Sequence, residues 1–299
     1  MTKKPVGGRR FRFVRSASVA PGVAPGTLAS GSGAARPPMQ IMAFGPKEGT
    51  EREIADPGEI RDLRGKYPVV WLNVDGVGDA GTLRSIGEVF GLHHLALEDV
   101  MNTHQRPKVE EYEDHCFIVL RMINDGETLE TEQMAVFMGK DFVITFQERP
   151  GDCLDPVRQR IRQGNERIRH AGPDYLAYAI IDAVVDFYFP ILEKYGERIE
   201  VLEESVIESP DRHSVVRIRD LKHDLLLIRR CVWPLRDALG MLYRDPNVCI
   251  KPETRVFLRD CYDHAIQIMD LVETYRELVA GLMDIYLSSV GMRTNEVMK

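Results

Sequence analysis

The chain predicts an α/β domain, a mixed sheet flanked by helices, followed by long α-helices that end in a projecting stalk. Three observations carry that reading. Short bursts of β-branched and aromatic residues fill positions 39–148. After Pro150 they give way to amphipathic stretches with few breaks. The last stretch, from Pro252 to the final residue, runs without a proline.

Composition excludes several classes before any element is placed. With 299 residues, 44% of them hydrophobic and 28% charged, the chain is long enough for one large domain or two modest ones, and it is neither disordered throughout nor collagen-like. The longest uninterrupted apolar run, residues 175–181, is far shorter than the ~18 to 20 residues that cross a bilayer, so no membrane span is expected. Five cysteines without a C-x-x-C pair argue for a reducing compartment and against a thiolate zinc site.

Residues 1–38 form a basic tail with seven basic residues and no acid. Its Arg9-Arg10 pair is followed by Pro, Gly, Ser and Ala rather than an apolar core, so it lacks the make-up of an export signal and reads as disordered, with one short strand at 11–14. The remainder holds 32 basic against 46 acidic residues, a net −14. Such a body repels nucleic acid and favours cationic partners such as divalent metals.

Residues 39–170 make up the expected α/β domain. Strands are predicted at 39–44, 69–74, 115–123, 132–138 and 142–146, with a hairpin turn at Gly139-Lys140-Asp141. Asp79 to Phe90 reads as a helix, because Leu83, Ile86, Val89 and Phe90 recur at helical spacing and Gly91 supplies a stop. A short helix covers His94 to Val100. Residues 153–169 form a further amphipathic helix.

Residues 171–250 read as a long helical pair. The first helix starts at Pro173, is kinked by Pro190 and is closed by Pro210; the second runs from about Asp211 to Tyr243, bears Pro234 and ends at the turn Arg244-Asp245-Pro246-Asn247. Residues 251–299 form the stalk. A helix over its 48 residues from Pro252 is about 72 Å long, beyond what packing on a small domain requires. Ile266, Met269, Val272, Leu278, Leu282, Ile285 and Tyr286 fall at steps suited to a helical face that wants a partner. No Gly, Asn or Pro ends this helix, so the polypeptide reads as part of something longer.

Carboxylates are the candidate chemistry. Glu98 and Asp99 are adjacent near the end of a short helix, and Asp260 and Asp263 lie three apart on the stalk beside His264. Two carboxylates ~5 Å apart at an effective dielectric near ~20 repel by about 3 kcal/mol, which a divalent cation relieves. Mg2+ and Ca2+ suit such oxygen ligands. Spacing alone equally allows a solvated acidic face. The same alternative holds for Glu193, Glu197, Glu200, Glu203, Glu204 and Glu208, which could pair with Arg217, Arg219 and Lys222 on the next helix. No nucleophile elbow, Walker loop, dinucleotide fingerprint or H-E-x-x-H is present, and His93, His94 and His104 lack ligand spacing, so no enzyme is expected.

Several landmarks in order resemble a known family: Trp71-Leu-Asn, His94-Leu-Ala-Leu-Glu-Asp-Val100, Gln105-Arg-Pro-Lys-Val-Glu-Glu-Tyr112, Glu132-Gln133, Asp174-Tyr-Leu176, Pro234-Leu-Arg236, Arg259-Asp-Cys-Tyr-Asp-His264 and Tyr286-Leu-Ser-Ser289. Together they are similar to the cytoplasmic portion of the CorA-type magnesium and cobalt transporters. The resemblance implies a funnel of five subunits with the last helices lining a pore, at the cytoplasmic side of the inner cell membrane. It implies that regulatory Mg2+, or Co2+ in its place, binds between subunits and gates the pore, at Asp99 with Glu98 beside it, facing Asp260 of the next subunit. Asp182 belongs to the same zone, and Asp263 is kept as a further ligand candidate. Met298 matches the cytoplasmic pore entrance. The family's Gly-Met-Asn signature follows its first membrane helix; Gly291-Met292-Arg293 is not that motif, so the chain is expected to stop before that helix and not to conduct ions alone. A zinc-transporting relative of the same family and a helical scaffold without metal are the alternatives.

Overall fold

A computed structural model describes residues 26–28, 35–126, 128–244 and 249–298. Its centre is a seven-stranded sheet in the order β2-β1-β3-β7-β6-β5-β4. The strands are β1 Met39–Phe44, β2 Gly49–Ile54, β3 Val69–Asp75, β4 Lys108–Glu111, β5 His115–Asp125, β6 Leu129–Gly139 and β7 Phe142–Gln147. Every neighbouring pair is antiparallel except β3 and β7, which makes the sheet mixed. Gly139 to Asp141 is the β6–β7 turn, as expected. The strands at both edges, β2 and β4, were not expected. β2 reads Gly-Thr-Glu-Arg-Glu-Ile with most side chains exposed, which is how an edge strand looks when one face meets water.

Alternation along each strand feeds two cores. Ile41, Val70, Leu72, Phe117, Phe137 and Ile144 pack beneath the sheet against a 3-10 turn at Pro57–Asp62 and two helices, α1 Ala80–Phe90 and α2 His94–Met101. Asp79 caps α1 by accepting from the amides of Gly81 and Thr82, and Gly91 ends it at φ +71°. The opposite face, with Phe44, Trp71, Ile118, Leu120 and Met134, is continuous with the helical layer. That core is one body from β1 to Leu282, so the sheet and the long helices share their apolar interior.

The helical layer departs from expectation in three places. Residues 153–169 form not one helix but two, α3 Asp155–Arg162 and α4 Glu166–His170, because Gly164 between them adopts φ +74°. Two further helices, α5 Pro173–Asp186 and α6 Tyr188–Glu208, meet at Phe187; Pro190 lacks the N–H that would bond back to residue 186. Over this pair the hydropathy of an 18-residue window reaches 1.6, enough by length and composition for a membrane span, yet 61% of that window is buried inside the protein. Its apolarity is spent on the core.

The last helices are α7 Arg212–Arg244 and α8 Pro252–Met298, the latter 47 residues long. Tyr188 donates to the Arg121 carbonyl at 2.7 Å and Tyr195 to Asp224 at 3.0 Å, which ties α6 to β5 and to α7. The stripe expected to seek a partner is partly used at home: Val272 and Leu282 are buried with Leu258, Ala265, Ile268 and Val279, while Leu271, Leu278 and Leu287 stay exposed. The expected pairing of α6 acids with α7 cations is replaced at two positions, since Arg217 donates to Ser205 and Arg219 sits beside Asp220.

The strand expected at 11–14, nearly all of the basic tail, and turn residues 245–247 lie outside the described residues. Pro37 is already buried and the Pro38 carbonyl accepts from the Asp75 amide, so the chain is docked before β1 begins.

Candidate metal centre

One helical turn separates Asp182 from Asp186 on α5, so their side chains share a face. α8 crosses that face and presents His264, whose Nδ1 lies 3.2 Å from Asp186 Oδ1. One ligand atom from each of Asp182, Asp186 and His264 falls within 4.8 Å of the others. Cys261, one turn earlier on α8, donates its thiol to Asp182 Oδ1 at 3.5 Å. Phe189 stands edge-on to the imidazole at 5.7 Å.

The electrostatics suit a cation. Burial raises the Asp182 carboxyl above its usual range, and the Asp186 charge pushes the same way; the Cys261 bond, Arg160 and His264 oppose this without cancelling it. Burial also pushes the Cys261 thiol up, with Asp182 adding to the shift, so the group stays a thiol. A dication placed among the triad removes the Asp182–Asp186 repulsion. The donor set is two carboxylates and one imidazole, which suits Co2+ or Zn2+ directly and Mg2+ through the carboxylates with retained waters.

Asp182 lies in this cluster with Asp186 and His264. Sequence reasoning missed Asp186 and took His264 only as a neighbour; the four-residue step from Asp182 was the available signal. Asp260 and Asp263 flank Cys261 on α8 and point to solvent, near this cluster in sequence but outside it. Met298 ends α8 and is 80% exposed.

Glu98 and Asp99 are adjacent on α2, as expected of neighbours in sequence, but they make separate contacts. Successive helix positions diverge by about 100°, so the pair does not share a face. Glu98 accepts from the Gly26 amide at 2.5 Å, whereas Asp99 accepts from Gln105 at 2.6 Å and from Lys108 at 2.5 Å. The loop between them is well fixed: Gln133 donates to the Asp99 carbonyl and accepts from the Gln105 amide, and Arg121 donates to the carbonyls of Thr103 and Gln105. The α2 helix packs beneath the sheet and α8 above it. Asp99 and Asp260 of one chain therefore belong to opposite layers. His93 and His94 stack on one another, and His93 on Tyr112.

Residues 68–299 match the profile of the CorA-like Mg2+ transporter protein family. The chain belongs to the CorA family. It is 44% identical over 282 residues to the cobalt/magnesium transport protein CorA of Thermotoga maritima, covering 93% of this chain and 80% of that one. It is 34% identical to the putative metal ion transporter YfjQ of Bacillus subtilis, over 77% of this chain and 72% of its relative. The soluble domain of CorA from Methanocaldococcus jannaschii superimposes with a TM-score of 0.71 at 22% identity, covering 84% of this chain and 96% of that domain, which establishes the CorA fold. All the carboxylates described above lie inside the matched CorA segment.

Proposed function

We propose that the chain is the metal-responsive part of a transporter for divalent cations, Mg2+ or Co2+, in which a bound cation holds copies of the chain in the arrangement that closes the pore. The observation that carries this reading is the Asp182, Asp186 and His264 cluster, built by two helices of one chain. Membership of the CorA family and the net −14 of the body beyond residue 38 support it.

In this reading the interfacial half of the site comes from two copies. Asp99 and Asp260 occupy opposite layers of one chain, so Asp99, with Glu98 beside it, meets Asp260 of the next copy in a ring. Such a heterologous contact closes by rotation, and five copies are the expected number. Mg2+ between the two carboxylates stabilises the closed ring, and Asp263 supplies a further oxygen nearby. Loss of the cation removes the bridge between the two carboxylates and returns Asp99 to Lys108, which leaves nothing to hold the neighbouring copies together there. A ligand shifts such an equilibrium only by its different affinity for the two states, which suits weak sites at an interface. Met298 then lies where α8 approaches the pore.

Sedimentation velocity and limited proteolysis during an Mg2+ titration test this. Mg2+ is expected to enlarge and protect the assembly, and Asp260→Asn or Asp182→Asn to remove that response. Identical protection in both variants would sink the reading. One observation favours a second reading, transport of Zn2+: His264 brings a nitrogen donor that zinc prefers. Saturation by Zn2+ at concentrations where Mg2+ has no effect would decide for it.

A further inference from the structure

Beside the turn that joins α3 to α4, a cavity of about 770 Å³ is lined by Arg160, Asn165, Glu166, Arg167, His170 and Tyr175. Two of these are guanidinium groups in an otherwise acidic protein. The Arg160 Nε is buried and makes no hydrogen bond among the described residues. That nitrogen is closed off from the cavity, so the guanidinium can meet a ligand only through its terminal nitrogens. Arg167 lies over the Phe257 ring, its guanidinium carbon 5.2 Å from the ring centroid. Stacking fixes the plane of that group and leaves its N–H edge available for bidentate bonds.

The other lining groups are oriented by contacts of their own. Asn165 Oδ1 accepts from the Arg167 amide at 3.1 Å, which leaves its side-chain nitrogen as a donor. His170 Nδ1 engages the Glu166 carbonyl at 2.8 Å, which leaves Nε2 for another partner. Glu166 is the one carboxylate on this wall, against two permanent cations. The volume exceeds what an isolated phosphate fills, and the groove is open to solvent along one side.

We propose that this cavity binds a polyphosphate-bearing anion of nucleotide size, with its phosphates on Arg160 and Arg167 and donors from Asn165 and His170 beside them. Planar guanidinium groups match phosphate oxygens in pairs, and charge-assisted bonds of this kind are stronger than neutral ones. The site has its own lining, apart from the carboxylate cluster on α5 and α8, although the Arg160 charge also acts on Asp182, and it requires no metal there.

Calorimetric titration of the folded chain in EDTA with ATP, tripolyphosphate and inorganic phosphate tests the proposal without involving divalent sites. Saturable binding of ATP is expected. An equal affinity for tripolyphosphate assigns recognition to the phosphate chain, and a weaker one assigns it to the whole nucleotide. Arg160→Gln and Arg167→Gln should each lower affinity by about tenfold, with Arg167→Lys in between. Glu166→Gln, a change at an exposed position that keeps the fold, should raise it. Absence of saturable binding, or affinity indifferent to the Glu166 and arginine changes, overturns the proposal. So does a change of assembly size in the arginine variants with ATP affinity unaltered, since the cavity would then receive a second copy of the chain.

Discussion

Lys108 Nζ lies 2.5 Å from Asp99 Oδ2, so the carboxylate expected to face a metal already holds a cation of its own. The same ammonium reaches Glu110 Oε1 at 2.5 Å. Burial alone would lower the Lys108 pKa, but Asp99 and Glu110 together outweigh it and hold the group above its usual value. A divalent ion that takes Asp99 must displace this ammonium. Lys108→Met is expected to lower the Mg2+ concentration needed for assembly by about threefold or more, while costing the metal-free protein about 1 kcal/mol. Sedimentation velocity across an Mg2+ series and thermal melts without metal measure the two effects. An unchanged Mg2+ midpoint would show that Asp99 keeps Lys108 throughout.

Among the described residues, His264 is the only nitrogen donor in the α5–α8 cluster. Imidazole binds Co2+ well and Mg2+ poorly. Replacing His264 by Ala should therefore weaken Co2+ binding by about tenfold or more and change Mg2+ binding by less than about twofold. Parallel calorimetric titrations with the two ions read this directly. Equal losses for both would mean that the imidazole acts on the shape of the site and not as a ligand.

Asp174 joins the starts of two helices. It is 4% exposed, accepts from Thr254 Oγ1 at 2.6 Å and from the Lys251 amide at 3.2 Å, and so ties the first turn of α8 to the first turn of α5. Removing a buried acceptor of this kind leaves those donors unsatisfied. Asp174→Ala is expected to cost about 2 to 3 kcal/mol in denaturant unfolding and to speed amide exchange at residues 251–255. Faster exchange confined to the far end of α8 would contradict this anchoring.

Much of this architecture is written in local pattern. Trp71, Ile118 and Val143 alternate with residues of opposite facing, so central strands are recognisable from period two alone. The edge strands are not, because Thr50 to Glu53 and Lys108 to Glu111 carry the polar residues that keep edges from pairing. The break at Gly164 was hidden by an amphipathic period that survives across it. The site was legible only in part for a different reason. Asp182 and His264 are 82 positions apart in the chain, and no spacing rule links α5 to α8; their meeting depends on which face of each helix the core consumes. Asp99 was recognisable as a candidate, but its bond to Lys108 follows from β4, the strand that sequence pattern did not reveal.

Beneath α3 lies the ion pair on which the sheet and the helices hinge chemically. Arg158 and Asp152 are joined by two bonds of 2.7 and 2.6 Å, with side chains only 9% and 4% exposed. Gln147 donates to Asp152 at 2.7 Å and to Asn73 at 3.1 Å, and Thr145 links Asn73 to the Trp71 indole. Arg158 also stands over the Trp71 ring, 5.4 Å from its centroid. Burial works against the Asp152 charge, yet the Arg158 bonds and charge prevail and hold its carboxyl below the usual range. A depressed carboxyl stabilises the fold at every pH above its unfolded value, and that contribution disappears as the pH drops through the folded value. Asp75 shifts oppositely, raised mainly by burial, so protonating it relieves the fold over the acid range and offsets part of the loss. Asp152→Asn leaves a buried guanidinium with only the exposed Asp155, 3.0 Å away, as counter-charge and should cost about 3 kcal/mol near neutrality. It should also flatten the fall in melting temperature between about pH 4 and pH 2, the range below the ordinary aspartate value. Melting curves of both proteins across that range check the sign. A variant as acid-sensitive as the parent would place the titrating groups elsewhere.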